Sequence, residues 1–183
     1  MNKHFYIFTE SHSKAGSYGV GSYIRNLIGT LSLAGTHKIT IVSVITNVSI
    51  VKVIEENNIR RIKIPKLTPD TSSRKHYFQS VYYILHPFID QKEKNYFHFN
   101  FFSSSKLARK IRETIENSKL FITVHYFNEY EFHETGGYTD IKNNVYDRII
   151  VLNNYTKTVF KEKYFVDRDI LIKIPNGVPD DSG

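Results

Sequence analysis

Hydrophobic residues fall along this chain in short runs: HFYIFT (His4–Thr9), KITIVSVIT (Lys38–Thr46), IRRIKIP (Ile59–Pro65), NYFHFNFF (Asn95–Phe102), LFITVHY (Leu120–Tyr126), RIIVLN (Arg148–Asn153) and ILIKIP (Ile170–Pro175). The runs are rich in β-branched and aromatic residues, and several are apolar almost without alternation, as strands buried on both faces are. Between them the period changes. Val20, Tyr23, Ile24, Leu27, Ile28 and Leu31 keep the i, i+3, i+4, i+7 spacing of one helix face, with Gly35 placed as a C-cap. The same spacing joins Tyr77, Val81, Ile84, Leu85 and Phe88, and again Leu107, Ile111 and Ile115. Ser103, Ser104 and Ser105 offer N-caps before Leu107, and Thr156 offers one for a last short helix running to about Tyr164. Strand and helix in alternation predict an α/β, Rossmann-like, doubly wound fold with a mainly parallel sheet of about seven strands. The polar stretch Glu129–Asn144, with Gly136 and Gly137 adjacent, reads as a long, mobile loop.

A length of 183 residues fits one domain, residues 1–183, with a core of its own. With 40% hydrophobic and 23% charged residues, neither disorder nor a coiled coil fits. No apolar stretch approaches the roughly 18 residues of a membrane span. The first residues, MNKHFYIFTESH, are too soon interrupted by charge to be a signal peptide, so the expected location is the cytoplasm. The absence of cysteine agrees, and removes thiolate chemistry. A net charge of +7 favours an anionic partner without choosing among nucleic acid, a phosphorylated ligand and acidic lipid. The densest basic segment holds Arg60, Arg61, Lys63, Lys66, Arg74 and Lys75 and reads as a solvated strand end and loop. Tyr77, Tyr82 and Tyr83, just after Arg74, Lys75 and His76, are either a core stripe or a surface meeting a membrane or a lipid-linked acceptor. Nucleic-acid binding would need a denser basic face or a recognisable module, and the sequence has neither.

Candidate chemistry begins at Gly16, Gly19 and Gly21, between the first strand and the first helix. In this fold that connection lies at the carboxyl edge of the sheet, where a helix N-terminus offers free N–H groups to an anion. The spacing lacks the third glycine of a dinucleotide fingerprint, and the second strand does not end in an acidic residue, so NAD is disfavoured. Tight turns and phosphate binding both remain open at this point. His125 ends a strand of the buried type and by itself reads as a hydrogen-bonded structural residue. His98 and Asn100 alternate with Phe97, Phe99 and Phe101, so they share one sheet face, as a buried polar pair or with Asn100 in the cleft. The cluster His125, Glu129, Glu131, His133 and Glu134 lacks the H-E-x-x-H spacing of a helical zinc site, and no metal is expected.

The stretch GVGSYIRNLIGTLSLAGTHKITIVSV (Gly19–Val44) resembles the start of the retaining glycosyltransferases of family 4, in which a glycine loop opens a helix that leads to a strand introduced by Gly-His-x-Val. FHFNFF is similar to the family's fourth strand, LFITVHYF to the strand ending in Thr-Val-His, and RIIVLNNYTKTVFKEKY to the segment in which Asn153 replaces the usual Ser. ILIKIPNGVPDD looks like the closing Ile-x-Asn-Gly-Val-Asp, with Pro179 in place of the Asp. The resemblance implies one half of a GT-B architecture: the N-terminal, acceptor-binding domain, without the C-terminal donor-binding domain. It implies a nucleotide-sugar donor whose diphosphate faces Gly19, Val20 and Gly21, with His125 hydrogen-bonding the donor sugar. Asn100, Tyr126, Asn128 and Asn176 become candidate cleft or acceptor residues. The acceptor would be a carbohydrate, a lipid-linked molecule or a peptide, with peripheral contact to the inner membrane face and no cofactor beyond the substrate. The alternative is a non-catalytic Rossmann-like binding or interaction module.

Overall fold

In the computed structural model, which describes residues 3–11, 19–35, 37–45, 48–65 and 74–175 (backbone alone at 10, 11, 45 and 74–79), the first strand is central to the sheet. β1 (Lys3–Ser11) lies between β2 (Lys38–Ile45) and β5 (Lys94–Phe99). Beyond β2 follow β4 (Ile59–Pro65) and β3 (Lys52–Glu56); beyond β5 follow β6 (Ser118–Val124), β7 (Arg148–Val151) and β8 (Leu171–Lys173). Every pairing is parallel except that of β3 with β4. The chain is thus an α/β, Rossmann-like fold.

Side-chain alternation divides the interior into two layers. Tyr6, Phe8, Phe97 and Phe99 point into the larger core, which also takes Val81, Tyr82 and Leu85 from α2 (Arg74–Leu85) and Leu107, Ala108 and Ile111 from α3 (Ser105–Thr114). Aromatic pairs fasten β1 to β5 there: Phe8 stacks on Phe99 with ring centres 4.5 Å apart, and Tyr6 on Phe97 at 4.7 Å. On the opposite face Ile7, Ile39 and Ile41 meet Ile24 of α1 (Val20–Leu33). Each such fully buried side chain is worth about 1.5–3 kcal/mol of transfer free energy.

The expected mainly parallel sheet is present with one further strand, and two other expectations are corrected. The sheet has eight strands among the described residues, because KVIEE (Lys52–Glu56) forms an antiparallel edge strand. Its side chains are mostly exposed, so nothing selected an apolar run. The two-residue turn Asn57–Asn58, with φ of 51° and 64°, joins it to β4 in the left-handed geometry of a tight hairpin. The stretch Glu129–Asn144 is not a long loop but two helices, α4 (Glu129–Glu134) and α5 (Gly137–Lys142), anchored by the fully buried Phe132 and Asp140 and by Ile141. Gly136 supplies a φ of 81° between them. Arg109 of α3 holds the Asp140 carboxylate through its Nε; burial nevertheless pushes the Asp140 pKa up, against the pull of Ser105 and Arg109. Finally, Thr156 does not cap the last helix. α6 (Asn154–Thr158), continued by a π-type turn at Val159–Lys163, is capped by Asn153, whose side chain accepts from the Thr156 N–H at 2.8 Å.

Other expectations fall close to the observed elements. Gly35 follows the C-cap Ala34 in the left-handed conformation, its N–H donating to the Ser32 carbonyl at 3.1 Å. Ser104 occupies the N-cap position of α3 without a side-chain capping bond. Tyr82 is buried and Tyr83 is 67% exposed, so the aromatic pair is divided between core and surface. Arg60, Arg61 and Lys63 lie along β4, where Arg60 pairs with Glu55 and covers the Phe88 ring at 5.0 Å. Lys66 lies outside the described residues. No helix among the described residues is long and apolar enough to cross a membrane.

Two glycines are required for different reasons. A Cβ on Gly137 would stand 2.7 Å from ring carbons of both Phe102 and Phe132, so Gly137→Ala is expected to lower stability by about 1–3 kcal/mol in urea unfolding, as overpacking does. At Gly19, φ is 68° and ψ −96°, yet a Cβ there would meet nothing within 4 Å. The constraint is backbone strain, so Gly19→Ala is expected to cost about 1–3 kcal/mol and Gly19→D-Ala, made by chemical ligation, to restore most of it. Equal losses from both would show that space decides.

Candidate functional site

Parallel pairing between β1 and β5 runs from Lys3↔Lys94 to Ile7↔His98 and stops, while β1 continues beside β2 to Ser11↔Ile45. Strand order reverses at this point: the chain leaves β1 through α1 toward β2, and the later strands are laid down on the other side. In open α/β sheets a crevice at the carboxyl ends of such strands is where ligands bind. Here the diverging strands leave the Phe8 carbonyl to be satisfied by a side chain. Asn100, one residue beyond β5 and 3% exposed, donates to it through Nδ2 at 2.8 Å.

The other end of the Asn100 amide reaches β6. His125, immediately after Val124, lies with Nε2 2.8 Å from Asn100 Oδ1. Tyr23, one turn into α1, stands edge-on to the imidazole with ring centres 4.9 Å apart and planes at 80°, and its hydroxyl lies 3.0 Å from Thr123 Oγ1. The same Thr123 hydroxyl is 2.8 Å from His98 Nε2. One network therefore joins the strands and helix that frame the crevice. Burial pushes the His125 pKa down to about 4, and burial together with the nearby His125 does the same to His98. Both imidazoles are neutral at pH 7.

The start of α1 completes the wall. Its first intrahelical bond runs from the Tyr23 N–H to the Gly19 carbonyl at 3.0 Å, so the N–H groups of Val20, Gly21 and Ser22 have no helical acceptor. Gly19, at the N-cap, has no side chain to cap this end, and the first turn holds no acidic residue. Among the described residues nothing caps the partial positive charge of this helix end, and Tyr23 links that end to His125.

The remaining predicted site residues are placed differently. Asn128 is the N-cap of α4, accepting from the Glu131 N–H at 3.1 Å. Tyr126 is 63% exposed, with its hydroxyl donating to Glu131 Oε2 at 2.9 Å. Both belong to the turn between β6 and α4. Gly16 and Asn176 lie outside the described residues. Glu129 receives hydrogen bonds from Lys163 and the Tyr164 hydroxyl, which hold its pKa below the usual carboxylate range. Among the described residues no group of three or more His, Cys, Asp or Glu side chains could hold a metal ion. The sequence reading did not assign Tyr23 and Thr123 to the site. Tyr23 counted as one more position of a helix stripe, although a buried tyrosine hydroxyl seeks a partner, and that was the available signal.

No protein-family model matches the sequence, and no curated protein matches it. Solved structures do match. A glycosyltransferase from Rickettsia africae is 17% identical, with a TM-score of 0.62 over 97% of this chain and 44% of its own. An α,α-trehalose-phosphate synthase (UDP-forming) from Burkholderia vietnamiensis is 9% identical, with a TM-score of 0.59 over 97% and 48%. An α,α-trehalose 6-phosphate synthase from Burkholderia multivorans is 8% identical, with a TM-score of 0.62 over 97% and 50%. The chain thus spans about half the length of these proteins. At such identities the likeness is one of fold: the eight-stranded Rossmann-like sheet of this chain corresponds to one half of glycosyltransferases with known structures.

Proposed function

We propose that this chain is the N-terminal, acceptor-side half of a GT-B glycosyltransferase of the family 4 type, which moves a sugar from a nucleotide-sugar donor to an acceptor with retention of configuration. The observation that carries the reading is the convergence of a helix N-terminus that opens on Gly19, uncapped among the described residues, and a neutral, hydrogen-bonded histidine on one crevice at the strand-order reversal. The fold likeness to glycosyltransferases supports it, and the ordered sequence motifs support it independently.

In this reading the roles divide by charge. The leaving nucleoside diphosphate gains negative charge as the glycosidic bond breaks, and N–H groups of Val20, Gly21 and Ser22 stabilise that charge with the dipole of α1. Because α1 carries no acidic first-turn side chain, nothing on this helix competes for those donors. His125, kept neutral by burial, hydrogen-bonds the sugar rather than neutralising the phosphate. The acceptor is a carbohydrate, lipid-linked or peptide hydroxyl compound brought to the same crevice. The reaction takes place in the cytoplasm, at the inner membrane face when the acceptor is lipid-linked. Neither a cofactor nor a metal is assigned a role.

Two measurements test the proposal. A one-sided crevice leaves a nucleotide sugar largely in water, where dipoles and hydrogen bonds contribute little. Calorimetric titration of the 183-residue chain with nucleotide sugars should give dissociation constants no tighter than about 1 mM, and nucleotide release should appear only when a donor-binding half is supplied. Micromolar binding or turnover by the chain alone would exclude the half-enzyme reading. In a protein that contains both halves, His125→Ala should lower kcat about 10- to 1,000-fold with a smaller change in the donor KM, the pattern of a contact that matters most in the transition state. Unchanged kcat would return His125 to a purely structural role.

A further inference from the structure

The Phe8 carbonyl can only accept a hydrogen bond, and that fixes the direction of every bond that follows from it. Asn100 must present its NH2 to Phe8, so its carbonyl oxygen is the atom turned to His125. A carbonyl oxygen can only accept. The proton between Asn100 and His125 therefore sits on Nε2 of the imidazole, and a neutral imidazole with Nε2–H carries its lone pair on Nδ1. Nδ1 has no hydrogen-bond partner among the described residues, whereas both His98 Nε2 and Tyr23 are engaged with Thr123.

We propose that Asn100 is a positioning residue: by spanning the divergence of β1 and β5 it locks His125 in the Nε2–H tautomer, so that the ring offers the crevice an acceptor, Nδ1, and no donor. The ligand group that meets His125 is then a hydrogen-bond donor, a hydroxyl rather than a phosphate oxygen. This rests on the glycosyl-transfer reading only for the identity of that hydroxyl as a sugar's. Asn100 is 3% exposed and bonds within the protein at both ends of its amide, so in this role it acts through His125. The arrangement also separates two kinds of recognition. Phosphate oxygens, which only accept, have main-chain N–H donors at α1, while a hydroxyl finds its acceptor at His125.

The orientation of the ring is held from two sides. Asn100 fixes one edge, and the Tyr23 ring packs against it at 80°, itself restrained by Thr123 and through Thr123 by His98. A ring flip would exchange Nε2 for a carbon at Asn100 Oδ1 and leave a buried carbonyl oxygen unpaired, which the fold otherwise avoids.

The test reads the tautomer directly by long-range 1H–15N correlation on the uniformly 15N-labelled 183-residue chain at pH 7, without ligand. The expected spectrum shows His125 as one species, with a protonated Nε2 and an unprotonated Nδ1. Asn100→Asp keeps an acceptor opposite Nε2 though it loses the donor to the Phe8 carbonyl, so it should keep the tautomer at some cost in stability, while the added carboxylate moves His125 protonation to higher pH. Asn100→Leu removes the acceptor, and both tautomers should then be populated, with His98 unchanged as the internal control for an intact fold. A wild-type His125 protonated at Nδ1, or present as a mixture, overturns the proposal. So does an Asn100→Leu chain that retains the single tautomer with His98 unperturbed. If the leucine variant fails to fold, the wild-type and aspartate spectra still decide. No sugar or nucleotide enters the measurement, so its outcome is separate from that of the glycosyl-transfer tests.

Discussion

At the strand-order reversal β1 and β5 stop pairing after Ile7↔His98, and main-chain carbonyls beyond that point need other donors. In this protein the carbonyl of Phe8 is such a group, and the side-chain amide of Asn100 satisfies it. That one bond sets the position of the first residues after β5, gives the imidazole of His125 an acceptor, and through the ring contact of His125 with Tyr23 bears on where α1 begins. Without it a buried carbonyl would cost about 1–3 kcal/mol, and β1, β5 and β6 would lose their only shared side chain among the described hydrogen bonds. The crevice is therefore a consequence of satisfying the backbone, with chemical groups placed around the solution.

The two faces of the sheet carry unequal loads. The large core, with its stacked rings on β1 and β5 and its helical layer from α2 and α3, fixes the strands from one side. The opposite layer is a small isoleucine cluster on β1 and β2 under α1, and on β5 and β6 the same face carries the polar side chains of His98 and Thr123, hydrogen-bonded to each other. Those polar positions all lie toward the crevice end, where Tyr23 closes over them. Stability comes mainly from one face and site chemistry mainly from the other, so substitutions in the two layers should separate cleanly in their effects on unfolding and on binding.

Much of the architecture is legible in the sequence because it rests on local period. The seven apolar runs all became strands, since a strand buried on both faces needs nearly continuous apolar residues. β3 escaped because an exposed edge strand has no such need, although Asn57-Asn58 marked its turn. α4 and α5 escaped because six residues hold too few turns for a helical period to emerge from the surrounding polar residues. What fixes them is tertiary: Phe132 enclosed by Phe102, Phe127, Phe160 and Tyr164, and Asp140 drawn to Arg109. The capping of α6 by Asn153 rather than Thr156 shows how two nearby cap-forming residue types leave the register open by a few positions until hydrogen bonds are seen.

The site divides along the same line. His125 and Asn100 stand at strand ends, and strand ends at the carboxyl edge can be found from the pattern of runs alone. Their bond to each other links residues 25 apart in sequence, and the bond of Tyr23 to Thr123 links residues 100 apart; no local period contains either. Asn128 is read by local chemistry instead: an Asn three residues before Glu131 is a helix cap, and the structure uses it so. What distinguishes Asn100 from Asn128 is the acceptor each must serve. A helix terminus recurs in every helical protein and can be capped by several residue types, whereas a buried carbonyl facing a histidine across diverging strands needs a group that donates at one end and accepts at the other. Asn supplies that bipolar amide at the required reach. Asp would place an acceptor against the Phe8 carbonyl, and Gln would carry the amide one methylene too far, so of these three side chains the one present is the one that closes the chain of donors and acceptors.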